Sequence, residues 1–509
     1  MKLIKKIAAI MLSVMMVLGM ASVVSADEGE TAASATTGTI TITDAIVGQT
    51  YKIYKILDLE SYDADAGNYV YKIDSNWEKF INGTAEGEGT GNEYLKIIDT
   101  IYNYVKWKGE KNDARVAEFA KKALEYAKSK KINPDRISDA NDTTSTTVTF
   151  NNLALGYYVV ESSVGTLCGL TTTNPTVTIK EKNGVPSVEK KVQEDSTSAW
   201  GDSNTADIGQ TVNFQTTITA QPGAQNYVLH DKMDAGLTFD TSSVQVKLKK
   251  SSETAENIVA ATNNYEVKSN GLESTNSCTF HVDFTPAFCN TLAKDDKIIV
   301  TYSATLNDDV ESKKEYKNET WLKYGENNET NHDTTTTKTF ELPVFKYTKD
   351  GQADKALAGA TFTLSKNQDG TNSIELVSVR NDDTNGDTYR VAKETEATEI
   401  KKIKEVTTTK SGKFTIKGLD ADTYYLTETK QPKGYNKLSA PITVVIDKDG
   451  AIKVNDSQDA TTEVKVLNNT GTILPTTGGN GTSLIYFLGA VLALVSGVVL
   501  LTKQRMKNS

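Results

Sequence analysis

Along most of the chain apolar and polar residues alternate, in segments rich in Thr, Val, Ile and Tyr that are separated by clusters of Gly, Asn and Asp. Alternation with period two puts every second side chain on one face, so these segments predict half-buried β-strands, and their succession predicts β-sandwiches in series. Thr39–Thr43 and Thr50–Leu59 open a first unit as strands, and Gly156–Glu161 and Pro175–Lys180 close it. Between them the period changes. Glu93–Trp107 sets Leu95, Ile98, Ile101 and Val105 at helical spacing, and Ala114–Lys130 does the same with Val116, Phe119, Ala123 and Ala127. Both predict helical insertions whose apolar stripes pack on a sandwich edge, a commoner use of such a stripe than a cofactor site.

The two ends break the alternation altogether. Lys2, Lys5 and Lys6 precede the apolar run Ile7–Met20 and the small-residue stretch Val24-Ser25-Ala26, which together predict a secretory signal peptide over 1–26. The run is short for a membrane span. Near the other end Leu474-Pro475-Thr476-Thr477-Gly478 is followed by the uncharged stretch Thr482–Thr502 and then by Lys503, Arg505 and Lys507. That stretch predicts a transmembrane helix with a basic, cytoplasmic tail. The fold class read from the pattern is mostly β, as tandem immunoglobulin-like sandwiches between a signal peptide and a transmembrane helix. Its divisions are 38–184, with the helical insertions, 185–338, 339–470, and 474–509 as the C-terminal segment. Nine prolines and no proline-rich stalk suggest sandwiches that abut closely.

Charge and rare residues exclude several function classes. A formal charge of −10, with 56 basic residues scattered among 66 acidic ones, gives nucleic acid no basic patch to bind. Cys168, Cys278 and Cys289 are too few for a disulfide scaffold, and structural thiols are favoured over a Cys278–Cys289 bridge. His230, His281 and His332 lie far apart without metal-ligand spacing, and no glycine-rich phosphate loop follows a strand. No metal, no cofactor and no enzymatic activity are expected.

The chemistry that remains follows from strand parity. Val188, Lys190 and Val192 share a face, so if the valines are core Lys190 is buried and Lys191 is wet. Val344, Lys346 and Thr348 repeat the arrangement, and Val464, Val466 and Asn468 share a face from which an amide can meet that lysine across neighbouring strands. A buried, unpaired ammonium is costly, so such a lysine must pair, lose its proton or react. Lysine, asparagine and a carboxyl group in one apolar pocket can form an isopeptide bond: burial favours the neutral amine and the protonated acid, the amine attacks, and ammonia leaves.

Two strings point to a family. Leu474-Pro475-Thr476-Thr477-Gly478 resembles the LPxTG sorting signal of Gram-positive surface proteins. The string Tyr424-Tyr425-Leu426-Thr427-Glu428-Thr429, followed by Pro432, Gly434 and Tyr435, resembles the E-box of collagen-adhesin (Cna) B-type domains in backbone pilins of sortase-assembled pili. The resemblance implies that a sortase, of the pilin type or the housekeeping type, cuts between Thr477 and Gly478. It implies that Lys346 bonds to Asn468 with Glu428 as the acid, and Lys190 to Asn318 with Asp231 as the acid. Gly156–Glu161 resembles an E-box without its Pro-x-Gly-Tyr tail, and no bond is expected there. Val177-Thr178-Ile179-Lys180-Glu181-Lys182-Asn183 takes the place of a pilin motif like VxVYPKN, with Lys180 and Glu181 in place of Tyr and Pro. Lys182 is therefore the candidate lysine for joining subunits. The implied function is a structural, non-enzymatic subunit of a covalent surface pilus, with peptidoglycan, other copies of the chain and minor pilins as partners. The alternative is a monomeric wall-anchored adhesin, and a surface hydrolase is remote.

Overall fold

The computed structural model describes residues 37–63, 68–110, 113–138, 146–162, 165–167, 176–269, 278–308, 315–325, 328–470 and 480–507. The chain divides into two compact units, one of Met1–Asn204, Thr211–Thr305 and Glu315–Thr337, the other of Thr205–Gln210, Leu306–Lys314 and Lys338–Ser509.

Among the described residues the first unit holds four sheets. Strand Thr37–Thr43 lies between Thr147–Ala154 and Thr176–Lys180, parallel to the latter. A second sheet is centred on Tyr51–Asp63, with Gly156–Ser162 and Asn68–Ile73 on its two sides. Alternate residues of both sheets, Ile40, Ile42, Tyr51, Ile53, Tyr158, Val160 and Ile179, make one apolar core, as period-two burial requires. The helix Asp113–Lys130 buries Phe119, Ala120, Ala123, Leu124 and Ala127 against Trp77, Phe80 and Tyr94 in a separate aromatic cluster.

The other expected helix is absent. Residues 93–107 form a hairpin of Leu95–Asp99 and Tyr104–Trp107. The apolar spacing at 95, 98, 101 and 105 misleads because only Leu95 and Val105 are buried, while Ile98 and Ile101 are 55 % and 83 % exposed. Asp99 Oδ1 accepts from the amides of Ile101 and Tyr102 at 2.8 and 3.0 Å, and Asn103 takes a positive φ of 57°. These local side-chain bonds close a turn where a helix would have continued.

The two remaining sheets of this unit face each other. One runs in the order 200–201, 187–193, 211–219, 297–306, 237–249 and 257–258. The other runs 203–205, 333–338, 315–324, 228–233, 280–284 and 265–268, with 328–329 paired to 315–324. Val192, Phe214, Ile218, Val300 and Tyr302 from the first sheet meet Leu229, Phe280, Val282 and Leu322 from the second in the buried interior. Cys278 and Cys289 are both buried and both free thiols.

The second unit pairs two more sheets. Phe340–Asp350 lies between Ala353–Ala356 and Lys413–Leu419 and is joined in parallel by Val464–Leu467. The facing sheet is ordered 406–407, 361–365, 423–430, 442–446 and 452–454. A helix, Asn480–Lys507, follows, with Ile485, Tyr486, Leu492, Leu494 and Leu500 among its exposed apolar side chains. Among the described residues no helix is long and apolar enough to cross a membrane. The signal peptide, Cys168 and Leu474–Gly478 lie outside the described residues.

Candidate functional site

Parity dictates where the lysines go. In Ser187–Gln193 the face that carries Val192 carries Lys190, and both are fully buried. Lys190 pairs across the strands with Thr216, and its own amide is held by Asp333 Oδ2 at 2.7 Å. From the opposite sheet Asp231 points inward beneath it, with Nζ 2.5 Å from Asp231 Oδ2. Asp231 faces Thr320 on the next strand, so Asn318, two residues earlier, is its diagonal neighbour on the same face.

A fourth residue joins the three. The hydroxyl of Tyr302, buried on strand Lys297–Leu306, hydrogen-bonds both Lys190 Nζ and Asp231 Oδ2, and it accepts from Asn318 Nδ2 at 3.3 Å. Tyr302 was not among the residues singled out from the sequence. Its signal is the alternation of Ile298, Val300, Tyr302, Ala304 and Leu306, which puts one phenol on an otherwise apolar inner face. Buried tyrosine hydroxyls need a polar partner. Rings enclose the group, with Lys190 Nζ 5.4 Å from the centre of Phe214 and 5.0 Å from that of Tyr302.

Burial dominates the electrostatics. It lowers the Lys190 pKa and raises those of Asp231 and Tyr302, against the attraction of lysine and aspartate. The pair is pushed towards neutral amine and neutral acid. Asp231 Oδ1 and Asn318 Oδ1 are buried with no hydrogen-bond partner among the described residues.

The second unit repeats the composition with other geometry. Lys346, between Val344 and Thr348 on the buried face, pairs in parallel register with Val466, and the Asn468 backbone N–H donates to Tyr347 O at 3.0 Å. Lys346 Nζ donates to Asn468 Oδ1, lies 3.3 Å from Glu428 Oε1, and Asn468 Nδ2 donates to that same oxygen at 2.9 Å. Exposures of Lys346, Glu428 and Asn468 are 0 %, 1 % and 2 %. Desolvation lowers the Lys346 pKa to about 8 although Glu428 opposes it.

The tail of the E-box has a structural reason. Gly434 takes φ 88°, the left-handed region that glycine enters freely, and Tyr435 N closes the turn on Pro432 O at 3.2 Å. The chain then returns so that Leu438 N donates to Glu428 Oε2 at 2.8 Å and Asn436 N to Asn469 O at 3.1 Å. One carboxyl oxygen is thus held by backbone while the other faces the lysine and the amide. Leu438 is a second participant that the sequence reading missed, because its contribution is a backbone N–H.

The remaining candidates stand apart from these clusters. Glu161, at the E-box position of the first sandwich, meets Lys128 Nζ at 2.6 Å and the Tyr54 hydroxyl at 3.4 Å. Lys182 follows strand Thr176–Lys180 and is partly buried, its amide and that of Asn183 each donating to Glu181 Oε1 at 2.9 Å. Lys180 is exposed and paired with Asp44 at 2.9 Å.

Residues 344–460 match the model of the SpaA prealbumin-like fold domain, a stretch that includes Lys346 and Glu428. No curated protein sequence matches the chain. Among solved structures it is similar to the T6 backbone pilin of serotype M6 Streptococcus pyogenes, at 16 % identity over 87 % of this chain and 95 % of that one, with a TM-score of 0.48. It is also similar to the full-length major pilin SpaD from Corynebacterium diphtheriae, at 17 % identity over 86 % and 98 % with a TM-score of 0.43. A third likeness is to the group B streptococcus pilus 2b backbone protein, at 24 % identity over 58 % and 100 % with a TM-score of 0.38.

Proposed function

We propose that this chain is the shaft subunit of a covalent cell-surface pilus, stiffened internally by Lys190–Asn318 and Lys346–Asn468 isopeptide bonds and joined end to end by sortase. The observation that carries the reading is the burial of a lysine, an asparagine and a carboxyl group together, twice, in sandwich interiors.

The internal reaction balances within each cluster. A neutral lysine Nζ attacks the asparagine Cγ, and the carboxyl group donates its proton to the carbonyl oxygen as negative charge develops there. For Asn468, turning the amide about its Cβ–Cγ bond exchanges its oxygen and nitrogen, setting Oδ1 against Glu428. The two orphaned acceptors Asp231 Oδ1 and Asn318 Oδ1 are what a proton on Asp231 would satisfy. The amine proton passes by way of the carboxylate to the leaving nitrogen; collapse of the tetrahedral intermediate then breaks the Cγ–Nδ2 bond, returns the oxygen-bound proton to the carboxylate as the carbonyl re-forms, and releases ammonia. Lys190 and Asn318 lie in opposite sheets, so their bond would tie the sandwich across its core. Asn468 directly follows strand Val464–Leu467, which runs parallel beside the strand of Lys346, so their bond would lock the last strand of this sandwich to its first.

Because the nucleophile is the neutral amine, the rate of closure at Lys346 should follow its deprotonation. With a pKa of about 8, the reactive fraction falls roughly tenfold for each pH unit below that value. Chain recovered unfolded and unreacted, then refolded at pH 5, 6 and 7, should gain the Lys346–Asn468 bond about tenfold faster per step, followed by peptide mass mapping. A flat profile over that range would remove the lysine from the rate-limiting step.

Between subunits, sortase would cleave after Thr477 and pass the acyl group to Lys182 of the next copy. The last acyl group would go to peptidoglycan, after transient membrane anchoring through residues 482–502. Thr477→Ala should therefore yield secreted or membrane-held protein and no wall-linked product in fractionated cells. Wall-linked protein at the normal level would contradict anchoring through this motif. The polymer itself is tested by immunoblotting wall material released with a muralytic enzyme. A ladder that survives boiling in detergent supports the shaft, and a single band favours the monomeric adhesin.

A further inference from the structure

The outer face of the sheet that holds Asp231 and Asn318 carries a row of side chains for which cross-linking has no use. His230 is paired directly with His281 on one neighbouring strand and with Trp321 on the other. The His230 and His281 rings are 5.4 Å apart, His230 stacks on Trp321 at 5.1 Å, and Trp321 stacks on His332 at 4.5 Å. All three histidines of the chain therefore fall in one row, although the sequence separates them widely.

Cys278 completes a cluster at one end of that row. Its Sγ is 3.5 Å from His230 Nδ1, and ligand-capable atoms of His230, Cys278 and His281 all lie within 4.8 Å of one another. His230 and Cys278 are 2 % and 9 % exposed, and the His281 side chain 13 %. A carboxylate stands behind one of the rings. His281 Nε2 lies 3.3 Å from Asp283 Oδ1, whose other oxygen takes Lys268 Nζ at 2.7 Å. The other ring nitrogen, Nδ1, is buried with no hydrogen-bond partner among the described residues.

We propose that Cys278, His230 and His281 bind a zinc-class divalent ion, with Asp283 orienting His281 as a positioning residue. One thiolate and two imidazoles form a donor set suited to zinc, whereas magnesium and calcium require oxygen ligands. Three protein ligands leave a fourth position for water. A sulfur–nitrogen contact of 3.5 Å is a weak hydrogen bond, while a shared ion would draw each donor to about 2.0–2.3 Å from itself. A carboxylate behind a ligating histidine is the usual device for fixing ring orientation. Binding breaks the Cys278 S–H bond, the electron pair goes to the ion and the proton to solvent, with no change of oxidation state.

The test uses the mature, reduced chain stripped with a chelator and titrated with Co²⁺ as a spectroscopic probe, then with Zn²⁺. Wild type should show a thiolate-to-cobalt charge-transfer band and visible bands of a four-coordinate ion, saturating at one equivalent and abolished by one equivalent of Zn²⁺. Zn²⁺ should also protect Cys278 from alkylation, read by peptide mass. Cys278→Ser should lose the charge-transfer band, and Asp283→Asn should keep it while binding about 10–100-fold more weakly. His332→Gln, in the same row but outside the cluster, should bind as wild type does. Near-ultraviolet circular dichroism reports whether each variant is folded, and the wild-type titration needs no variant at all. Absence of the charge-transfer band in wild type, or its persistence in Cys278→Ser, would overturn the proposal.

Discussion

Mature Glu428→Ala protein should weigh about 17 Da more than expected from the wild-type mass corrected for the substitution, the increment being the ammonia that is no longer lost. Asp231→Ala should show the same increment independently, because each acid serves a different cluster. The physical reason is that a buried amide is a poor electrophile until its carbonyl is polarised, and Glu428 and Asp231 are the carboxyl groups in reach. Loss of the bond should also be felt in stability. The link between Lys346 and Asn468 closes a separation of 122 residues, and a cross-link of that span is worth about 5 kcal/mol in the chain-entropy account. Removal of the acid further leaves Lys346 buried without its charge partner, which adds to the loss. A fall in Tm on the order of 10–20 °C for the affected sandwich is expected, together with new trypsin cleavage there and none in the other. Calorimetry and limited proteolysis report the stability, and intact mass reports the chemistry separately. Wild-type protein at its uncorrected sequence mass would remove both cross-links at once.

Lys182→Ala should abolish every boil-resistant species above the monomer while leaving the monomer folded and wall-anchored. A partly buried lysine at the end of a strand contributes about 1 kcal/mol or less to folding, so loss of the ladder would not come from loss of structure. Lys182→Arg sharpens the test. It keeps the charge and most of the packing, but a guanidinium stays protonated and cannot serve as the amine nucleophile. Both variants should give the same ladder-free blot. A ladder that persists in Lys182→Ala would move the joining role to another lysine, with Lys180 the nearest exposed one.

These expectations rest on features of unequal legibility in the sequence. Strand parity alone buried Lys190 and Lys346 and left Lys191 wetter, because a two-residue period leaves no choice of face once neighbouring valines are core. The same logic put Asn468 on a face from which it can meet Lys346 across neighbouring strands, and the structure makes those strands parallel. The E-box string marked Glu428. What misled was local: residues 93–107 satisfy a helical spacing, yet Asp99 and Asn103 make a turn that sequence periodicity does not weigh against the stripe.

Other features were decided only by the tertiary structure, for one physical reason: contacts between strands distant in sequence are fixed by register, which no local pattern encodes. Tyr302 meets Lys190 because the strand 211–219 between theirs sets Thr216 opposite Lys190 and Phe214 opposite Tyr302, and Leu438 reaches Glu428 because the turn at Gly434 sends the chain back. Cys278 and His281 stand three residues apart, but His230 lies far from both along the chain, and the antiparallel pairing of His230 with His281 closes the cluster to within 4.8 Å. The sequence by itself determined that Lys190, Lys346 and Asn468 share a face with core residues. Only the folded sheets decided which of them share a site.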